Sequence, residues 1–173
     1  VDRLLSERKK GFFLEIGGYD GELHSNTLFF EKERGWDGLL IEANPFTFQQ
    51  MVSRDRKCFM ANACISRTSP SMSFIVAGGL TSAVNVMSEK HRTRIEQNIP
   101  MYGKTPTWEG NGKEIRTNCT TINHLLDEIA VSHVDYFSLD VEGAEILVLE
   151  SIDFSKVTVD VFTIEKQEHR EQV

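Results

Sequence analysis

Short apolar runs alternate with amphipathic segments along this chain, and this alternation limits its possible folds more than any other feature. Residues 12–16, 38–42 and 136–141 are apolar runs of strand length, each followed by glycine or polar residues. Runs of this length are typical of buried strands, and the amphipathic segments between them are typical of helices. Strands that alternate with helices predict an α/β fold with a doubly wound, mostly parallel sheet.

The same pattern predicts where the individual elements lie. The predicted strands are residues 12–16, 38–42, 58–64, 71–76 (an edge strand), 117–122, 136–141 and 157–164. The predicted helices are residues 23–34, 44–55, 88–97, 123–129 and 144–151, and Asn44-Pro45 is the N-cap and first residue of the second. We expect one domain over residues 1–173, with a first half at 10–77, an irregular glycine- and proline-rich segment at 78–116 and a second half at 117–173.

Composition excludes several classes of function. The formal net charge of −7 over 173 residues argues against a general nucleic-acid-binding protein, which normally has a basic face. No apolar run approaches the ~18 residues of a membrane span. The chain begins with Val1, so we expect a piece of a longer chain; its compartment stays open, with the cytoplasm as the default.

The cysteines predict neither a disulfide framework nor a metal site. Cys58, Cys64 and Cys119 are few and scattered, and they include no C-x-x-C pair that would indicate zinc. Asn118-Cys119-Thr120 matches the sequon for N-linked glycosylation, a triplet that also arises often by chance.

Polar residues follow four of the predicted strands. In an open parallel sheet, ligands bind beyond the carboxyl ends of the strands, near the point where the strand order reverses. The first strand is followed by a glycine-containing loop, the second ends in Glu42, the third ends in residues 62–64, and the strand at 136–141 includes Asp140. We therefore expect these side chains to meet at one edge of the sheet.

The loop after the first strand reads E-x-G-x-x-x-G, with Glu15, Gly17 and Gly21 at the fixed positions. It lacks the G-x-G-x-x-G of a dinucleotide-binding loop. The carboxylates of Glu15 and Asp20 would repel a pyrophosphate and would suit a cationic ligand, such as an ammonium or a sulfonium group. This charge argument favours S-adenosylmethionine over a nicotinamide cofactor, although glycines that only shape a turn explain the loop equally well.

Three further carboxylates are candidates for the same site. Glu42 lies ~20 residues beyond the glycine loop, where an acidic residue can accept hydrogen bonds from ribose hydroxyls. Asp140 and Glu142 are two residues apart, so an extended backbone would place them on one face. Asp140 interrupts an apolar strand, and a buried carboxylate is costly without a partner or a ligand.

Four segments in this order, FLEIGGYDG, LLIEANP, NACIS and YFSLDVEGAE, resemble the FkbM family of S-adenosylmethionine-dependent methyltransferases. The resemblance covers residues 12–165, and D-V-E-G-A-E is its most specific element. It implies a class I methyltransferase fold and the transfer of a methyl group to a hydroxyl oxygen. Class I enzymes usually add an antiparallel hairpin after the fifth parallel strand, so we expect this chain to be truncated before that hairpin.

The resemblance also implies roles for individual residues. It places these residues at the cofactor: Glu15, Gly17, Gly18, Asp20, Gly21, Glu42, Asn62, Ala63, Cys64, Asp140 and Glu142. Within that set, Glu42 would bind the ribose, residues 62–64 would line the adenine, and Asp140 and Glu142 would lie near the methyl group. We predict Asp140 and Glu165 as the catalytic residues, with Asp140 anchoring the cofactor or substrate and Glu165 lining the acceptor pocket.

The acceptor is left open as a small molecule, a glycan or lipid-linked glycan, or a protein side chain. Candidates for binding it lie in the irregular segment: Arg92, Tyr102, Lys104 and Trp108. His24, His91 and His124 cannot be ranked as bases from the sequence. Two other functions stay open: a non-catalytic binding or scaffold protein on the same fold, and a metal-dependent enzyme using Asp140, Glu142 and Glu42 as oxygen ligands. The oligomeric state is undetermined.

Overall fold

The computed structural model describes residues 1–102 and 110–165. Within them, apolar runs form the strands of a central parallel sheet, as the alternating pattern predicts. The elements in chain order are β1 (Phe12–Ile16), α1 (Leu28–Arg34), β2 (Asp37–Ile41), α2 (Pro45–Val52), β3 (Phe59–Ala61), β4 (Cys64–Ile65), β5 (Ser71–Ile75), β6 (Ser82–Ala83), α3 (Glu89–Tyr102), β7 (Glu114–Thr120), α4 (Ile122–Glu128), β8 (His133–Leu139), α5 (Glu145–Glu150) and β9 (Thr158–Ile164).

The central sheet has the strand order β3-β2-β1-β8-β9 in the described part of the chain. All of its neighbouring strands are parallel. The chain builds outwards from β1 through β2 to β3, and later returns to the other side of β1 with β8. The order therefore reverses between β1 and β8, which is where a doubly wound sheet opens a crevice for a ligand.

Alternate side chains of each central strand pack on opposite faces of the sheet. Leu14 and Phe137 belong to a buried cluster on one face, together with α4 and α5 residues such as Leu126 and Val148. Phe13 belongs to the other cluster, which includes aromatic residues and Met51 of α2. Both faces are apolar because helices cover both, which explains why the strands read as nearly continuous apolar runs.

A second sheet, with the order β4-β7-β5-β6 among the described residues, was not expected from the sequence. Residues 58–64 were predicted as one strand, but the structure has β3 in the central sheet and β4 in the second. The chain changes sheets at Asn62 and Ala63. The predicted edge strand at 71–76 lies inside the second sheet, where β5 is antiparallel to both β6 and β7.

The structure also differs from the sequence prediction at the start of α1 and in the segment at 78–116. The helix predicted at 23–34 begins at Leu28, because residues 20–27 form a hydrogen-bonded loop. The segment at 78–116 was predicted to be irregular apart from a helix at 88–97. Its described residues form β6, the 14-residue α3, which includes most of that predicted helix, and the start of β7. Helix α3 is mostly polar and is held chiefly by Ile95, which packs with Leu80, so periodicity gives only a weak signal for it.

Cys64 and Cys119 form a disulfide between β4 and β7, with 4.4 Å between their Cα atoms. The sequence predicted no disulfide framework, and this single bond was not anticipated. Spacing could not reveal it, because the two cysteines are 55 positions apart in the sequence and are brought together only by strand pairing in the second sheet. Cys58 is a free thiol.

None of the helices that the structure describes has the length and apolarity needed to span a membrane.

Candidate active site

A cavity of about 610 Å³ lies beyond the carboxyl ends of β1, β2 and β8. One wall consists of the residues that follow these strands, including Gly17, Glu42 and Asp140. The opposite wall comes from the second sheet and from α3, with Met72 and Arg94 among its residues. The volume is in the range of cavities that hold a small ligand, and the position is the crevice at the strand-order reversal.

Gly17 allows the three strand ends to approach each other. Its φ is +82°, and a Cβ placed on it would lie 1.7 Å from the carbonyl oxygen of Asp140. The Gly17 amide donates to the carbonyl of Ile41 at 3.0 Å, and the Asp140 amide donates to the carbonyl of Ile16 at 3.1 Å. Only glycine fits at this position, because any side chain would collide with the backbone that follows β8.

Glu42 is a buried carboxylate at the end of β2 that also lines the cavity. Its Oε1 accepts a hydrogen bond from the Asn44 amide at 2.8 Å. Burial raises the pKa of Glu42 to about 7, and hydrogen bonds from Asn44, Tyr19 and Thr47 oppose the rise without cancelling it. The group is therefore an acceptor that is only partly ionised near neutral pH and that would gain from further donors.

Asp140, Glu142 and Glu165 bring three carboxylates together at the ends of β8 and β9. Ligand oxygens of the three groups lie within 4.8 Å of one another. Burial, followed by the charge of Glu165 and a hydrogen bond with it, raises the pKa of Asp140 to about 7. Burial also raises the pKa of Glu142, although His91 and Arg94 oppose this. Such a cluster favours a cation nearby, and a carboxylate with a pKa near 7 can act as a general base at neutral pH.

A buried ion pair between Arg56 and Glu31 holds the loop after β1 in place. Arg56 donates to Glu31 at 2.8 Å, and it also donates to the carbonyl of Gly21 and to Ser25. Arg56 is not predictable from the sequence, because it lies in a short polar segment between α2 and β3 that gives no periodic signal.

A scan against protein families matches residues 15–173 to the methyltransferase FkbM domain. The chain belongs to the FkbM methyltransferase family. It is therefore a methyltransferase, as the four segments predicted. Searches of curated proteins and of solved structures returned no match.

Two of the acidic residues predicted at the cofactor do not line the cavity of this FkbM domain. Glu15 is buried and accepts hydrogen bonds from the Asn26 amide at 2.7 Å and the Thr27 hydroxyl at 2.6 Å. Asp20 is fully buried, accepts from the Leu23 amide at 2.7 Å and pairs with Arg54. In the structure both carboxylates have partners within or beside the loop and are not part of the cavity lining. Negative charge reaches the cavity through Glu42, Asp140 and Glu142 instead.

Some of the other residues predicted at the cofactor line the cavity and some do not. Gly17, Ala63, Cys64 and Glu142 line the cavity, whereas Gly18, Gly21 and Asn62 do not. Asn62 is exposed, and its amide donates to the Glu42 carbonyl at 2.7 Å, so it fixes the end of β2. Gly21 has a φ of +80° and lies against Met51. Glu165 meets Asp140 through the carboxylate cluster.

Helix α3 of the FkbM domain is tied to the strand ends through Glu142. The Nδ1 atom of His91 lies 3.4 Å from Oε2 of Glu142, and an Arg94 nitrogen lies 3.8 Å from the same oxygen. The Nε2 atom of His91 bonds the Leu80 carbonyl at 2.9 Å, so this nitrogen carries a hydrogen. Ser82 donates to the Glu142 carbonyl at 2.9 Å, which fixes β6 at the same point.

The structure places the three histidines that are candidate bases in different surroundings. His91 is buried against Glu142, His24 lines the cavity, and His124 is exposed beside Glu128 on α4. Of the predicted acceptor-binding residues, Arg92 lies on α3 outside the cavity lining, which instead includes Arg94. The side chain of Tyr102, and Lys104 and Trp108 entirely, lie outside the described residues.

For the alternative of a metal-dependent enzyme, the structure groups a different set of possible ligands from the predicted one. Within the described residues, Asp140 and Glu142 group with Glu165 rather than with Glu42. A second group of His133, Asp135 and Asp160 lies at the other end of β8 and β9, where Arg8 already pairs with both aspartates.

Proposed function

We propose that this domain is an S-adenosylmethionine-dependent O-methyltransferase with the class I arrangement of the cofactor. The observation that carries the proposal is the cavity at the strand-order reversal, whose strand-end wall bears Glu42, Asp140 and Glu142. S-adenosylmethionine presents a sulfonium, an ammonium and ribose hydroxyls. Carboxylates complement all three, whereas they would repel the phosphates of a nucleotide cofactor.

In this proposal Glu42 accepts hydrogen bonds from the ribose hydroxyls. Its carboxylate lies where the acidic residue of other doubly wound folds binds the ribose. Ala63 and Cys64 line the adenine, beyond the end of β3. Gly17 lets the cofactor approach the backbone between β1 and β8, while Gly18 and Gly21 shape the loop. Glu15, Asp20 and Asn62 act indirectly, by holding that loop and the end of β2.

S-adenosylmethionine, when bound, would supply a methyl group on a positively charged sulfur. The acceptor oxygen would bond to the methyl carbon as the carbon–sulfur bond breaks, with the thioether S-adenosylhomocysteine as the leaving group. The carboxylate cluster removes the proton of the acceptor. Asp140 is partly ionised near neutral pH and accepts the proton of the acceptor hydroxyl. Glu165 forms a hydrogen bond with Asp140 and keeps that carboxyl group in position. Holding the reacting atoms in line supplies much of the rate enhancement.

The acceptor site lies between the carboxylate cluster and α3. Arg94, Asn98 and His24 line the cavity and offer donors to a polar molecule. We expect a small-molecule or glycan-type acceptor that presents a hydroxyl group.

The test is transfer of a labelled methyl group from S-adenosylmethionine to a panel of hydroxyl-bearing small molecules and glycans. The proposal predicts a label that resists alkali, as an ether does and a carboxyl ester does not. Asp140→Asn should abolish transfer, and Glu128→Gln, which removes an exposed carboxylate on α4, should leave it unchanged. Label found only on nitrogen or sulfur would overturn O-methylation and leave methyl transfer standing. Cofactor binding without transfer to any acceptor would favour a non-catalytic binding protein.

A further inference from the structure

We propose that Asn118 carries an N-linked glycan and that this domain folds in an oxidising compartment of the secretory pathway. Two independent observations support this: the Asn118-Cys119-Thr120 sequon and the disulfide formed by Cys119. The inference does not depend on the proposed chemistry of the cavity.

The sequon is placed where a glycan can be accommodated. Asn118 lies on β7, where its side chain is exposed while its neighbour Thr117 is buried. Because successive side chains of a strand point to opposite faces, Asn118 shares its face with Glu114 and Arg116, which are also exposed. A bulky, polar glycan on this solvent-facing side would disturb no packing.

A glycan at Asn118 would also leave the cavity open. The residues of the second sheet that line the cavity, including Met72 and Phe74 of β5, are buried on the inward side. Asn118 pairs with Ser71 across β5 and β7 and lies on the outward side. Modification and ligand binding therefore use opposite faces of the same sheet.

The disulfide identifies the kind of compartment. Disulfides persist in oxidising environments and are rare where glutathione and thioredoxin keep thiols reduced. The Cys64–Cys119 bond joins paired strands, and Cys64 is 4% exposed, so it is suited to a structural role rather than to redox exchange. N-linked glycosylation takes place in the same oxidising compartment of the secretory pathway.

The third cysteine is compatible with a lasting disulfide. Burial raises the pKa of the Cys58 thiol to about 12, so it stays protonated at physiological pH. Because the thiolate is the attacking species in disulfide exchange, Cys58 does not threaten the bond.

Mass spectrometry of the natural full-length protein, isolated from the cells that make it, tests the inference. Peptide-N-glycosidase treatment in heavy-oxygen water converts a glycosylated asparagine into labelled aspartate. We expect label at Asn118 and none at Asn123, which is not in a sequon. Of these three cysteines, only Cys58 should be alkylated in denaturant before reduction, and Cys64 and Cys119 should react only after reduction. An unmodified Asn118, or free thiols at both Cys64 and Cys119, would overturn the proposal.

Variants of the full-length protein in the same cells provide the matched control. Asn118→Gln and Thr120→Ala should both remove the glycosidase-sensitive shift on a gel, whereas Thr120→Ser keeps the sequon and should keep the shift. A shift that survives Asn118→Gln would contradict the assignment of the glycan to this residue.

Discussion

Replacing Glu42 with glutamine should change how the stability of the domain depends on pH. Burial raises the pKa of Glu42 from 4.5 to about 7, so the folded state holds a proton that the unfolded chain releases above pH 4.5. The folded state therefore binds more protons between these two values, and the free energy of unfolding falls as pH rises through this window. Glutamine has nearly the same shape and cannot ionise, so Glu42→Gln removes this dependence.

The size of the effect follows from the shift. A difference of one pKa unit corresponds to about 1.4 kcal/mol, so the shift of Glu42 corresponds to roughly 3 kcal/mol of stability lost between pH 4.5 and pH 8. For a domain of this length, 3 kcal/mol is equivalent to roughly 6–12 °C in melting temperature. The variant should therefore gain that much relative to the natural chain when both are moved from pH 5 to pH 8.

Thermal or denaturant unfolding of both proteins at several pH values measures this difference. Subtracting one curve from the other cancels the titration of Asp140, whose pKa is also raised. Glu128→Gln is the control, because it removes the same charge from an exposed position and should give a parallel curve. Parallel curves for Glu42→Gln and the natural chain would refute the reasoning, since they would mean that the Glu42 carboxylate pays no desolvation penalty.

Three further substitutions test other parts of the account. Gly17→Ala should destabilise the domain by roughly 3–5 kcal/mol in denaturant unfolding, because the added Cβ would collide with the Asp140 carbonyl. Gly35 has a similar φ but lies in open space, so Gly35→Ala should lower the free energy of unfolding by only about 1 kcal/mol. Equal costs would contradict the close approach. Asp140→Asn should abolish methyl transfer at neutral pH while circular dichroism stays unchanged, and retained transfer would exclude Asp140 as the base. Arg56→Met should cost roughly 3–5 kcal/mol of stability, and adding Glu31→Leu should recover part of it; no recovery would mean that the pair is not coupled.

The sequence predicts the central sheet well because its signal is local. The apolar runs that become β1, β2 and β8 are buried on both faces, and their ends carry the glycine or the carboxylate that the cavity uses. Gly17, Glu42 and Asp140 could be placed at one edge of a sheet by knowing only that parallel strands end together.

The sequence could not predict features that depend on contacts between distant segments. The second sheet brings Cys64 to Cys119, and nothing near either cysteine indicates the other. Glu15 and Asp20 illustrate the same limit: their residue type indicates a charge, but whether that charge faces the cavity or the loop depends on partners such as Arg54. Helix α3 is polar along most of its length, so its position over the cavity depends on a few contacts, including His91 with Glu142.

Calorimetric titration with S-adenosylmethionine and S-adenosylhomocysteine tests the central claim most directly. The account predicts saturable binding of both to the natural chain and to Glu128→Ala, and a large loss of affinity in Glu42→Ala. Binding should also release protons near pH 6.5, as ribose hydroxyls favour the ionised form of Glu42, and Glu42→Gln should reduce that release. Absence of binding by a folded natural chain, or equal affinity in Glu42→Ala, would contradict the proposed cofactor site.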